Sequence, residues 1–204
     1  MRVTIFDYGA GNLHSLAKAV ESAGVEVRID SDPVRAVETD ALVLPGVGAF
    51  GAAADRLAPG REAMRAAITD GLPAIGICLG MQLLFDGSDE GAGAGLGVIP
   101  GRVSRLRAER VPQIGWNTLD DAHDPLFDAA PLPIAYYANS FVCRPDDPTS
   151  VIAWSEHEGD RFAAAVRAGT AVGVQFHPEK SSSAGVRLLH AFLDEARRTT
   201  THTR

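Results

Sequence analysis

Residues 2–6, Arg-Val-Thr-Ile-Phe, are a short β-branched and apolar run that meets Asp7-Tyr8-Gly9. That pattern predicts a strand closed by a turn. Leu13, Leu16, Ala17 and Val20 then recur at helical spacing, with Asn12 placed to cap the helix and Gly24 to stop it. Val25, Val27 and Ile29 alternate as a second strand, and Ala-Leu-Val-Leu over residues 41–44 reads as a third. A helix over residues 61–70 ends at Gly71, and residues 73–77 form another short apolar strand. The β-α-β-β-α-β order predicts an α/β fold with a mainly parallel sheet flanked by helices.

The pattern changes in the second half. Stretches 98–106, 133–137, 162–166 and 172–176 read as strands separated by turns rich in Pro, Gly and Asp, which predicts additional antiparallel strands there. A last helix carries Val186, Leu189 and Leu193, with Ser181-Ser182-Ser183 as its cap. The polar tail 199–204 is expected to fray. No repeat or long linker divides the chain, so residues 1–198 are expected to form a single domain.

Composition removes several functions. The 204 residues are 46% hydrophobic, enough for one well-packed core. Nineteen Lys and Arg stand against 26 Asp and Glu, a net charge of −7 without a basic cluster, so no nucleic-acid ligand is expected. No apolar run approaches the roughly 18 residues of a membrane span. The opening residues also lack the cationic and apolar regions of a signal peptide. The two cysteines, Cys78 and Cys143, are too few for a disulfide scaffold or a Cys-based zinc site. The expectation is a reduced, cytoplasmic protein with no metal and no cofactor.

The sharpest local signal is Gly76-Ile77-Cys78-Leu79-Gly80, between a buried strand and a helix beginning near Met81. A tight strand-to-helix turn strains its central residue, and glycines two positions to either side leave room for it, as in a nucleophile elbow. A cysteine there also faces the positive end of a helix dipole, which favours its thiolate. The competing reading, a small buried apolar cysteine, fits Cys143 in Phe141-Val142-Cys143-Arg144-Pro145, which has no flanking glycines. A thiolate nucleophile needs a base, and the base needs an orienting group. Of the six histidines, His14 and His190 fall in helices, His123 and His157 in acidic turn-like stretches, and His202 in the tail. His177 instead ends a strand, is held extended by Pro178, and has Glu179 two residues on to fix its tautomer. Active sites of parallel α/β sheets gather at the carboxyl ends of strands, so Cys78 and His177 can meet across 99 residues of sequence.

Gly46-x-Gly48-x-x-Gly51 formally matches a dinucleotide-binding pattern. The match fails in context: the loop follows the third strand, and no acidic residue ends the next strand. Gly9-Ala10-Gly11 also misses, because His14 occupies the third glycine position. The alternative use is an oxyanion hole, with Leu79 N–H as one donor and the glycine loop supplying the other.

At this point the chain resembles, essentially end to end, the class I (triad-type) glutamine amidotransferases. The resemblance rests on Asp7-Tyr8-Gly9-x-Gly11-Asn12-Leu13, Pro45-Gly46-Val47-Gly48-Ala49-Phe50, Gly76-Ile77-Cys78-Leu79-Gly80-Met81-Gln82-Leu83-Leu84, Gly115-Trp116-Asn117 and Gln175-Phe176-His177-Pro178-Glu179-Lys180-Ser181. It implies that Cys78 attacks the side-chain amide of glutamine and that His177 and Glu179 complete the triad. Leu79 and Val47, the latter after a peptide flip, would then hold the oxyanion. Gly46, Gly48, Gln82, Glu90 and the segment Asn139-Ser140-Phe141 would bind glutamine, Glu90 through the ammonium group. Glu90 has a rival reading as part of a solvated acidic turn with Asp86 and Asp89. The resemblance further implies a partner, the (β/α)8-barrel cyclase subunit of imidazole glycerol phosphate synthase, which receives ammonia through an internal channel. Asn12, Trp116 and Lys180 match interface positions, although a core Trp116 fits the sequence equally well. The chain departs from its relatives at Asn139-Ser140-Phe141, where His-Ser-Tyr is usual, and at Gln113, where histidine is common. Two other functions compete: the glutaminase of a different ammonia-using synthase, and a catalytically silent interaction subunit.

Overall fold

In a computed structural model of the chain, residues 1–9, 11 and 13–202 are described. Four strands form the parallel half: β1 (Arg2–Phe6), β2 (Glu26–Asp30), β3 (Ala41–Leu44) and β4 (Ala74–Ile77). They pair side by side in the order β4-β3-β1-β2. Their connections carry α1 (His14–Glu21), α2 (Pro33–Ala36), α3 (Phe50–Leu57) and α4 (Arg61–Thr69), and α5 (Leu79–Leu83) follows β4 directly. The apolar runs of β3 and β4 are continuous because both faces of the sheet are covered. Ala41 and Val43 point into one core cluster, Leu42 and Leu44 into the other. Each such leucine contributes roughly 1.5–3 kcal/mol by leaving water.

The second half adds β5 (Gly87–Ser88), β6 (Gly101–Arg105), β7 (Gln113–Thr118), α6 (Pro125–Ala129), β8 (Ile134–Asn139), β9 (Phe141–Pro145), β10 (Val151–His157), β11 (Asp160–Ala168), β12 (Ala171–Val174) and α7 (Ser182–His202). β12 lies parallel to β4, and β11 and β10 continue outward antiparallel, completing a seven-stranded sheet in the order β10-β11-β12-β4-β3-β1-β2. A three-stranded sheet, β5-β6-β9, and an antiparallel ribbon, β7-β8, complete the molecule. This is the expected mixed α/β architecture, with a large mostly parallel sheet flanked by helices. No helix among the described residues is long and apolar enough to cross a membrane.

Several local expectations change. Asn12 lies outside the described residues, and the residue preceding α1 is Leu13, which makes no side-chain cap. The second strand begins at Glu26 and not at Val25, and Ile29 on it is 51% exposed at this edge of the sheet. Gly51, read as the end of the glycine loop, is the second residue of α3. The strand expected from residue 98 begins at Gly101, because Val98 and Ile99 donate to the Leu84 carbonyl instead. α7 runs on to His202, four residues into the expected tail.

Candidate active site

Three neighbouring strands, β3, β4 and β12, bring their carboxyl ends together. From them emerge the loop Pro45–Gly48, Cys78 and His177. Cys78 has φ 47° and ψ −101°, a left-handed conformation that costs an L-residue on the order of 1–3 kcal/mol and persists only where packing enforces it. Two bonds enforce it here: Cys78 N–H donates to Val174 O at 2.7 Å, and Gln82 N–H to Cys78 O at 3.1 Å. The elbow glycines are required by close approach. A Cβ on Gly80 would strike the Leu44 carbonyl, and one on Gly76 the Gly80 carbonyl.

His177 follows β12 in extended conformation, φ −102° and ψ 97°, as Pro178 demands. Its Nδ1 meets Glu179 Oε1 at 2.9 Å, which leaves Nε2 for Cys78. Burial opposes the imidazolium, but hydrogen bonds to Cys78 and Glu179, together with their negative charge, outweigh it and push the His177 pKa up to about 9. Near neutral pH the pair is therefore an imidazolium beside a sulfur. Such a pair can attack an acyl carbon and then protonate a leaving nitrogen.

Nine of the anticipated residues line one pocket of about 200 Å³: Gly46, Gly48, Cys78, Leu79, Gln82, Glu90, Asn139, Ser140 and Phe141. Ala138, which the sequence did not single out, completes its wall. Gly46 forms the floor, where a Cβ would lie 2.9 Å from His177 Cε1 and 3.0 Å from Cys78 Cβ. Gln82 Nε2 and Asn139 Nδ2 both donate to the Phe141 carbonyl, at 3.2 and 3.1 Å. Glu90 accepts from Phe50 N–H at 3.0 Å, the first amide of α3, so its carboxylate is fixed at the pocket rim. Asp89 pairs instead with Arg102 at 2.6 Å, and Asp86 accepts from Gly101 N–H.

Val47 does not line this pocket. It lines a second one of about 260 Å³ with Pro45, Glu179 and Lys180, and Gly46 is common to both. Trp116 is 52% exposed on β7, edge-on to Tyr136 of β8 at 6.2 Å, and Ile114 on the same strand face is 68% exposed. Lys180 is exposed at the mouth of the second pocket.

Four contacts at the site went unread in the sequence. His177 N–H donates to Tyr136 O at 2.8 Å, and Ser181 Oγ–H to His177 O at 2.7 Å. Tyr136 N–H donates to Ser181 Oγ at 2.9 Å, so Ser181 braces the histidine loop as well as opening the last helix. Gln175 Nε2 lies 3.5 Å from Cys78 Sγ. Its signal was present in Gln175-Phe176-His177 but was overshadowed by the histidine.

The family model of the class-I glutamine amidotransferases matches residues 4–196. The chain belongs to that family. Its relatives narrow the class. The imidazole glycerol phosphate synthase subunit HisH of Leifsonia xyli subsp. xyli is 45% identical over 92% of this chain and 95% of that protein. The subunit of the same name from Corynebacterium glutamicum is 43% identical, over 94% and 97%. That of Synechococcus sp. (strain JA-3-3Ab) is also 43% identical, over 95% and 94%. Among solved structures, a glutamine amidotransferase superposes with a TM-score of 0.74 at 21% identity, covering 96% of this chain and 98% of its own. PurLQS from Thermotoga maritima does so at 0.69 and 20%, covering 95% and 98%. These two likenesses bear on the fold.

Proposed function

We propose that this chain hydrolyses L-glutamine to L-glutamate and ammonia, and passes the ammonia to the (β/α)8-barrel cyclase subunit of imidazole glycerol phosphate synthase. The observation that carries the reading is the convergence of Cys78, in its strained turn, with His177 and Glu179 beside a pocket built from the residues expected to hold glutamine. In this reading residues 1–198 act as one amidotransferase domain in the cytoplasm.

Glutamine enters with its ammonium group toward Glu90 and its main-chain carboxylate toward the backbone of residues 139–141. The Cys78 thiolate adds to the side-chain amide carbon, and the oxygen gains negative charge. Leu79 N–H donates to that oxygen, and Val47 N–H joins it once its peptide turns. One such donor is worth about 10²–10³ in rate. His177 Nε2–H protonates the amide nitrogen, ammonia departs, and a glutamyl thioester remains on Cys78. The now neutral His177 takes a proton from water, whose oxygen attacks the thioester. Glutamate leaves, and the thiolate–imidazolium pair is restored. Glu179 accepts from Nδ1–H throughout and keeps Nε2 facing the sulfur. The exposed Trp116 and Lys180 support a docking face for the cyclase. Asn12, outside the described residues, belongs to the same proposal.

Glutamate formation is measured from L-glutamine with the chain alone and with the cyclase plus its ribonucleotide ligand. The expected result is low turnover alone and strong stimulation in the mixture, because partner and ligand favour the active arrangement. High turnover without the partner would keep the triad and remove the coupling. Absence of turnover in a verified complex would favour the silent-subunit reading.

A further inference from the structure

The β12–β4 register pairs Val174 with Ile77, and the next residues along both strands are Gln175 and Cys78. Gln175 is fully buried, and its backbone N–H is held by Ala164 O at 2.8 Å. Its side-chain Nε2 lies 3.5 Å from Cys78 Sγ, while its Oε1 is buried without a hydrogen-bond partner. An unsatisfied buried oxygen is destabilising, and native structures keep one only when something else dictates the orientation. The hydrogen-bond partner this amide does have is Cys78 Sγ, met through Nε2. Turned over, the amide would set a carbonyl oxygen against an electron-rich sulfur. As placed, it offers an N–H, which a thiolate accepts far better than a thiol does.

We propose that Gln175 is a thiolate-holding residue, whose side-chain N–H donates to Cys78 Sγ and favours the ionised nucleophile. The inference rests on Cys78 being the nucleophile. Gln175 does not line the glutamine pocket, so it acts on the sulfur and not on substrate affinity. The other titratable groups around this sulfur are His177 and, through it, Glu179 on the loop after β12, Cys143 on β9, and Glu90 in the pocket wall. The imidazolium favours the thiolate from one side, and Gln175 adds a neutral donor from another.

The test is the pH dependence of Cys78 alkylation by iodoacetamide, in which the thiolate displaces iodide, with the site of modification located by mass spectrometry. In Gln175→Met, which keeps the length and loses the donor, the midpoint should rise by about one pH unit, giving roughly tenfold slower alkylation below it. Gln175→Glu should raise it further, because an anion then faces the sulfur. KM for glutamine should stay within about twofold of the parent in Gln175→Met. An unmoved midpoint in folded variants overturns the role of Gln175 and leaves Cys78 as nucleophile. A parent protein whose Cys78 resists alkylation, and whose glutaminase survives Cys78→Ala, overturns both. Should the variants not fold, the unmodified chain still decides. With 15N-labelled glutamine side chains, the Gln175 amide resonance must shift when Cys78 is alkylated, and an indifferent resonance sinks the proposal.

Discussion

The turn that carries Cys78 and the strand β9 that carries Cys143 both bury a thiol, at 7% and 0% exposure, yet they surround it differently. Cys143 sits in regular strand backbone, paired in register with Val103 of β6. Burial pushes its pKa well up, the nearby charge of Cys78 adds to this, and Arg144 only partly opposes it. It is therefore held as a neutral thiol. Cys78 occupies a left-handed turn between strand and helix, faces an imidazole and an amide N–H, and opens on a pocket. Burial alone leaves a cysteine inert. Partners that stabilise the anion, and a backbone that presents the sulfur to a ligand, make it a nucleophile.

The sharpest way to break this contrast is to remove each sulfur. Cys78→Ala should lower partner-stimulated glutamate formation by about 10⁴-fold or more, with folding retained, since no other group can form the thioester. Glu179→Gln should follow, lowering kcat by about 10²- to 10⁴-fold through loss of the imidazole's orientation. It should also change the pH profile. His177 is raised to about 9, so the parent loses its proton donor, and the stability this group contributes, as pH rises through about 9. That stability is fully present below the ordinary histidine pKa of about 6.5. With the carboxylate gone, the alkaline limb of kcat/KM should move to lower pH. A limb that stays in place would assign it to another group.

The grouping of Cys78, His177 and Glu179 was legible because its signals are written locally: glycines flank Cys78, Pro178 holds His177 extended, and Glu179 stands beside it. The pocket wall from Asn139 to Phe141 was legible only through resemblance, since nothing in its local pattern marks a binding segment. Ser181, Tyr136 and Gln175 escaped because each acts on a residue distant in sequence: Tyr136 meets Ser181 across 45 positions, and Gln175 meets Cys78 across 97. β7 escaped for a different reason. Its alternation is inverted, with Gln113 buried and Ile114 and Trp116 exposed, so the apolar face points away from the core. α3 did carry its pattern, Phe50, Ala53, Ala54 and Leu57 at helical spacing, but the preceding glycines drew that segment into a loop.

The elbow itself can be strained further. Gly80→Ala places a methyl group on α5 against the Leu44 carbonyl of β3, which neither element can relieve without moving Cys78. A loss of about 1–3 kcal/mol is expected in urea unfolding, with reduced kcat, as for other overpacked core sites. Unchanged stability would mean that the β3–α5 approach yields easily and that the strain at Cys78 is not enforced from that side.

The smallest effect belongs to Cys143. Its sulfur is packed in the cluster of Leu83, Leu84, Phe85 and Val103, so Cys143→Ala leaves a small cavity and should cost about 1–2 kcal/mol in the same unfolding measurement. Stimulated glutaminase should remain within about threefold of the parent, because β9 reaches the pocket through Phe141, whose carbonyl is bound by Gln82 and Asn139, and not through Cys143. If activity fell as steeply as in Cys78→Ala while the fold survived, the second thiol would have to take part in the chemistry. The division between an inert and a reactive cysteine would then fail, because burial and a raised pKa would no longer be enough to silence a sulfur.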